Sequence, residues 1–353
     1  MGKMNASPAE GATALEPHPS DVPPQILTIV LVTSPVPSNP STEMLEFVLK
    51  SFVVGGDLKD CPKVIVSDGF DVSDQGQKPR VKHGRVPAEW AAPYEEFRDR
   101  IDELVTAAQD LRAEEGESSG SGCFSHCSHL RMPKHRGFGG CVQSALWRTV
   151  STPYVLVLQH DRPCLRSFSP RGILAVMEAS AGAVKYVGLS TKASLSRSSR
   201  ANVVTRCGLH LETDSVDDKV VAAAATAAGI QLRFLFFWYD SAHICLASHY
   251  RDFVFARGRV PGGGFPEDSL GQAMHARICE AVREGRWREE HAIYGTYLCV
   301  DGGDPLVGHL RGRSYLETAE MQQRGWKSPE MQQPCSWAAD CFRPAEEGAT
   351  TEL

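Results

Sequence analysis

Apolar and polar positions along the chain fall into two alternating rhythms. Unbroken aliphatic runs mark strands buried on both faces: QILTIVLVT at 25–33, PKVIVSDGF at 62–70, YVLVLQHD at 154–161 and VKYVGLS at 184–190. Between them, apolar residues return every three to four positions. STEMLEFVLKSF (41–52) opens with a Ser/Thr cap and sets Met44, Leu45, Val48, Leu49 and Phe52 on one helical face. PYEEFRDRIDELVTAAQDLRAEEG (93–116) predicts a long amphipathic helix. GGCVQSALWRTVS (139–151), PRGILAVMEAS (170–180) and SVDDKVVAAAATAAG (215–229) predict further helices, the last leading into a strand, IQLRFLFFW (230–238). Strands alternating with helices imply an α/β fold: a single Rossmann-like domain over 25–335 whose mostly parallel central sheet is flanked by helices.

Composition adds soft edges. Residues 1–24 and 336–353 are predicted to be disordered tails, the first rich in Pro, Ala, Ser and Glu. RAEEGESSGSG (112–122) predicts a flexible loop that extends towards 135. A hydrophobic content of 42% suffices for a core, and a net charge of −6 argues against general nucleic-acid binding. The 11 cysteines are odd in number and irregularly spaced, which favours reduced thiols. No run reaches the roughly 18 apolar residues of a membrane span. The N-terminal stretch lacks the apolar segment of a signal peptide, and Ala6 stands where a myristoylation pattern needs Ser or Thr. The expectation is a soluble, cytoplasmic protein.

Chemistry is expected where the strands end, because open α/β sheets bind ligands beyond the carboxyl ends of their strands. The first run ends in Thr33-Ser34-Pro35, the second in Ser67-Asp68-Gly69, and the third in Gln159-His160-Asp161. If these strands are neighbours, Asp68 and Asp161 approach one crevice. A carboxylate there can bond a base or ribose, or ligate a divalent metal on a diphosphate. Asp161 can equally cap the turn before Pro163.

The order of these pieces resembles a GT-A glycosyltransferase, particularly the inverting family-2 type. The resemblance covers roughly 25–315 and implies that Asp68 contacts the nucleotide base, with Thr33 and Ser34 beside it. Gln159-His160-Asp161 sits where the family's acidic motif belongs. Gln159 then replaces a ribose-contacting Asp, and Asp161 is the ligand for Mn²⁺ or Mg²⁺. HLRMPKHRGFGGCVQSALWRTVSTPYVLVLQHD (129–161) is similar to the family's basic loop, helix and motif strand. Lys134, His135 and Arg136 would face phosphate, or form a solvated basic turn. Downstream, VPGGGFPEDSLGQAMHARI (260–278) carries Glu267-Asp268 before a helix, with Leu270 two residues on, as in the family. This implies Asp268 as the base for the acceptor hydroxyl and Glu267 as its supporting acid. Acids also favour helix N-termini for electrostatic reasons alone.

Trp238, Tyr239 and Asp240 are candidates for the acceptor side, although aromatic residues in a strand are more often core. His309 is the candidate second metal ligand by position, and Arg311 and Arg313 are candidates for diphosphate. Cys123, His126, Cys127, His129 and His135 cluster, but their spacing matches no standard zinc finger, and a loop covering the nucleotide accounts for them as well. The implied activity is transfer of a sugar from a nucleotide-sugar donor, UDP-linked by preference, to an unidentified acceptor hydroxyl. A nucleotidyltransferase should carry a Gly-rich loop after the first strand, and TSPVPSNPS (33–41) has no glycine. A non-catalytic protein that binds nucleotides or sugars on the same fold is the alternative.

Overall fold

The computed structural model describes residues 26–56, 58–74, 77–115, 122–195 and 218–315. Both expected tails lie outside these ranges.

Eight strands form one sheet in the order β5-β2-β1-β6-β9-β7-β10-β8. They are β1 (Leu27–Thr33), β2 (Lys63–Ser67), β5 (Cys127–Arg131), β6 (Tyr154–Gln159), β7 (Tyr186–Leu189), β8 (Leu232–Phe234), β9 (His243–Leu246) and β10 (Thr296–Cys299). Two short strands, β3 (Asp71–Val72) and β4 (Arg85–Val86), pair separately. β1 is parallel to both β2 and β6, and β10 is parallel to β7, whereas β9 and β8 run antiparallel to their neighbours. The sheet is therefore mostly parallel, as the alternation predicts.

Side-chain alternation explains the unbroken aliphatic runs. Leu27, Ile29 and Leu31 of β1 and Leu156 and Leu158 of β6 join one core, while Val30, Val32, Val155 and Val157 join a second on the opposite face. Helices α1 (Glu43–Ser51), α2 (Ala88–Glu115), α4 (Pro170–Ala179) and α5 (Lys219–Ala227) contribute to the first core, through residues such as Val48, Phe97, Ile173 and Val221. Helices α3 (Gly137–Arg148), α6 (Gln272–Arg283) and α7 (Trp287–Tyr294) contribute to the second, through Val142, Met274 and Trp287.

Several expectations change. Residues 127–131, read from sequence as part of a loop, are edge strand β5, registered on β2 from Lys63↔Cys127 to Ser67↔Arg131. The run 230–238 yields only three strand residues, because Phe236 and Trp238 turn into the second core. The chain passes from β1 outward through β2 to β5, then returns to place β6 on the other side of β1. That reversal makes the carboxyl ends of β1 and β6 the place for a crevice. No helix among the described residues is long and apolar enough to cross a membrane.

Candidate active site

Two cavities open at the carboxyl edge of the sheet. The smaller, about 70 Å³, is walled by Ser34, Asp68, Lys82, His135, His160 and Arg313 among others. The larger, about 320 Å³, is walled by Arg162, Tyr186, Tyr239, Asp240, Glu267 and His309 among others. Gln159 and Phe265 belong to both walls, so the two cavities adjoin.

β1 and β6 are tied at their ends. Thr33 Oγ1 lies 2.5 Å from His160 Nδ1, and both residues are buried. Burial lowers the His160 pKa, so its ring is neutral near pH 7. Asp161, next in sequence, is also buried. Its Oδ2 accepts from Gly312 N at 2.9 Å and stands 3.2 Å from His309 Nε2. Burial opposes its charge, but contact with His309, the His160 ring and the Gly312 N–H outweigh that and hold its carboxyl well below the usual carboxylate range. Asp161 Oδ1 is enclosed and makes no hydrogen bond. One orphaned carboxylate oxygen beside a histidine fits a hard divalent cation that completes its shell with phosphate oxygens. Among the described residues no three His, Cys, Asp or Glu side chains gather into a metal centre.

Asp68 ends β2 and is buried. Its carboxylate accepts from Arg136 N at 2.7 Å and Gly137 N at 3.1 Å, capping α3, and His135 Nδ1 approaches Oδ2 to 2.8 Å. That carboxylate, ahead of opposing burial, raises the His135 pKa. Asp68 thus reaches the small cavity with its oxygens already engaged, a capping role that the strand-end pattern did not signal. Lys134 and Arg136 are exposed on the same turn, and Arg136 meets Asp68 through its main chain.

The Glu267-Asp268 pair divides. Glu267 lines the large cavity, half-buried; burial raises its pKa, Asp268 adds to the rise, and Arg162 and Lys82 oppose it. Asp268 is exposed and pairs with Lys82 Nζ at 3.0 Å. Tyr239 and Asp240 line the large cavity, but Trp238 does not: it is fully buried against Tyr186, His243 and Tyr250. The stacking role expected of Trp238 is therefore corrected to core packing. Arg313 lines the small cavity, whereas Arg311 is exposed and lines neither.

The Cys/His cluster does not converge. Both ring nitrogens of His129 are engaged, with Asp102 Oδ1 at 2.7 Å and Ser67 Oγ at 2.9 Å, while His135 faces Asp68. The pattern reading missed Arg162, which sits 3.9 Å from Asp161 Oδ1 and on the large cavity's wall. Its adjacency to Gln159-His160-Asp161 was the available signal.

No protein family and no curated protein matches the chain in sequence. Among solved structures, the chain is similar to S. aureus TarS at 10% identity and a TM-score of 0.35, over 77% of this chain and 35% of that one. It therefore spans well under two thirds of that protein's length. It is similar to TarS 1–349 in complex with UDP-GlcNAc at 11% identity and a TM-score of 0.25, over 47% and 34% of the two chains. It is also similar to the mannosyltransferase PcManGT from Pyrobaculum calidifontis in complex with GDP-Man and Mn²⁺, at 12% identity and a TM-score of 0.30, over 80% and 73%. The functional reading rests on the crevice itself.

Proposed function

We propose that the protein transfers a sugar from a nucleotide-sugar donor, UDP-linked by preference, to an acceptor hydroxyl, with inversion at the anomeric carbon. The observation that carries this reading is the pair of adjoining cavities at the β1/β6 switch point, with a carboxylate on the larger wall and basic groups nearby. In this reading the nucleotide lies along Thr33, Ser34, Asp68, Gln159 and His160, and the sugar and acceptor occupy the larger cavity. Tyr239 borders the acceptor, and Asp240 is buried beside it. Arg313 on the small cavity's wall, with Lys134 and Arg136 on the turn after β5, provides positive charge around the diphosphate.

Glu267 is the base, because it reaches the cavity and its raised pKa keeps it a stronger proton acceptor than an exposed carboxylate. The acceptor oxygen bonds to the anomeric carbon as its proton passes to Glu267, and the bond from that carbon to the diphosphate breaks. Asp268, turned to Lys82, supports this turn of chain from outside. Asp161 and His309 would hold Mn²⁺ or Mg²⁺, which when bound supplies charge to stabilise the departing diphosphate. Arg162, on the same wall, adds a fixed cation.

The second reading is a non-catalytic nucleotide- or sugar-binding protein. It is favoured by Gln159, whose amide occupies the first position of the motif and donates to Asp240 O at 3.2 Å. A thermal-shift screen with nucleotide sugars, with and without manganese, followed by assay for free nucleoside diphosphate, tests both readings. Ligands that bind the native state alone raise the melting temperature. Stabilisation with diphosphate release supports transfer, stabilisation without release supports binding only, and no stabilisation by any nucleotide overturns both.

A further inference from the structure

The turn carrying Glu267 is gripped by the segment before β9. Glu267 N donates to Asp240 Oδ2 at 2.9 Å, and Asp240 N donates to Glu267 Oε2 at 3.2 Å. Each acid thus accepts from the other's main chain, closing a reciprocal clasp between residues 27 positions apart. Gln159 Nε2 donates to Asp240 O at 3.2 Å, which joins the clasp to the end of β6. A second contact fixes the same turn. At Gly271 a Cβ would stand 2.7 Å from Trp238 O and 3.0 Å from the Phe237 ring, so only glycine lets the turn sit this close. Leu270 anchors it from below in the second core.

We propose that Asp240 is a positioning residue: its hydrogen-bonding shape, rather than a negative charge, holds the Glu267 carboxylate at the larger cavity. This rests on the reading of Glu267 as the base. Asp240 is only 3% exposed and faces the acids Glu267 and Asp268 from the 267–271 turn. Burial, reinforced by those neighbouring charges and opposed by the hydrogen bond from Glu267 N, raises its pKa well above the usual carboxylate range and so favours its protonated form. Its Oδ1 is enclosed with no hydrogen-bond partner, which suits a protonated oxygen better than a bare charge. The two acids divide the work: the enclosed one fixes geometry through the clasp, and the half-buried one at the cavity accepts a proton.

An asparagine at 240 offers the same acceptor oxygen to Glu267 N and carries no charge. Asp240→Asn should therefore keep kcat within about threefold, whereas Asp240→Ala should lower it about 10²-fold, since a misplaced base is ineffective. Donor KM and nucleoside diphosphate affinity should change little in either variant, because the clasp holds the base and not the nucleotide. Gly271→Ala should reproduce the kcat loss of Asp240→Ala by pushing the turn away from 237–238. Melting temperature and nucleotide binding are measured on each variant, so that a kcat loss in a protein that still binds nucleotide is separated from unfolding. Equal loss in Asp240→Asn and Asp240→Ala, with nucleotide still bound, would show that the charge is needed and overturn the proposal. Absence of turnover in the unaltered protein would instead count against the transferase reading itself.

Discussion

Glu267 and Asp268 are adjacent in sequence yet meet different surroundings, and their variants should separate accordingly. Glu267→Gln is expected to lower kcat by about 10²–10⁴-fold with donor affinity little changed, as for loss of a general base. Asp268→Asn is expected to stay within about tenfold, because its exposed pair with Lys82 is worth roughly 0–1 kcal/mol. Steady-state kinetics on the two variants check this, and the reverse order would return the base to Asp268. At this scale the sequence showed where polar residues accumulate but not which way they turn. The strand-end rule drew attention to Thr33, Asp68 and Asp161, all of which lie at the carboxyl edge. It could not show that Asp68 would spend its oxygens on α3, since that depends on where Arg136 and Gly137 fall. Trp238 was misread because an aromatic residue beside Tyr239 and Asp240 looks the same in sequence whether it faces a ligand or a core. Neutral His160 and Asp161 with its depressed pKa likewise follow from burial, which no local pattern prints.

At the level of elements, the glycine-rich stretch has a structural task. Gly263 and Gly264 pack against the first turn of α3, and at Gly263, with φ +74°, a Cβ would collide with Arg136 O. Gly263→Ala is expected to cost more than about 1 kcal/mol, from strain at positive φ and from separation of α3 and the loop. Urea denaturation measures it, and an unchanged midpoint would show that this approach is not tight. β1, β2, β6 and β7 were legible because each is an aliphatic run covered on both faces. β5 was not, since Cys127, Ser128, His129, Leu130 and Arg131 mix polar and apolar residues at a sheet edge. β9 and β10 are four residues each, too short for periodicity to distinguish from neighbouring segments. Helix α2 begins five residues before the apolar pattern suggested, and Pro93, its sixth residue, lacks the N–H that would bond Glu89 O.

Across the whole molecule, burial of neutral histidines makes stability depend on pH. His243 and His291 are buried with pKa values lowered to about 4, and His249 is lowered to about 3, in each case first by burial. His243 Nδ1 donates to Ser241 O, its Nε2 accepts from Tyr250 Oη, and His291 Nε2 donates to Thr296 O, so these two neutral rings are bonded in place. With folded pKa values below the unfolded value near 6.5, the unfolded chain binds more protons as pH falls. Their stabilisation is complete above about pH 6.5 and is lost towards pH 4, at up to about 1.4 kcal/mol per pH unit for each ring. Thermal melts from pH 7.5 to 5 should show a falling melting temperature, with a shallower slope in His291→Gln. A flat profile would mean that these rings are protonated within the fold. The overall α/β layout was legible from the alternation of rhythms, whereas the crevice required the strand order, which long-range pairing decides. If the crevice takes a nucleotide donor, binding must depend on the residues that wall it. Calorimetric titration of UDP, in the presence of manganese, into the unaltered protein and into Ser34→Trp tests it most directly, because Ser34 walls the small cavity and a large ring there would fill it. The unaltered protein should show one site per chain, and Ser34→Trp should bind at least about tenfold more weakly at an unchanged melting temperature. No heat of binding in the unaltered protein, or equal affinity in the two, would contradict a donor site in this crevice.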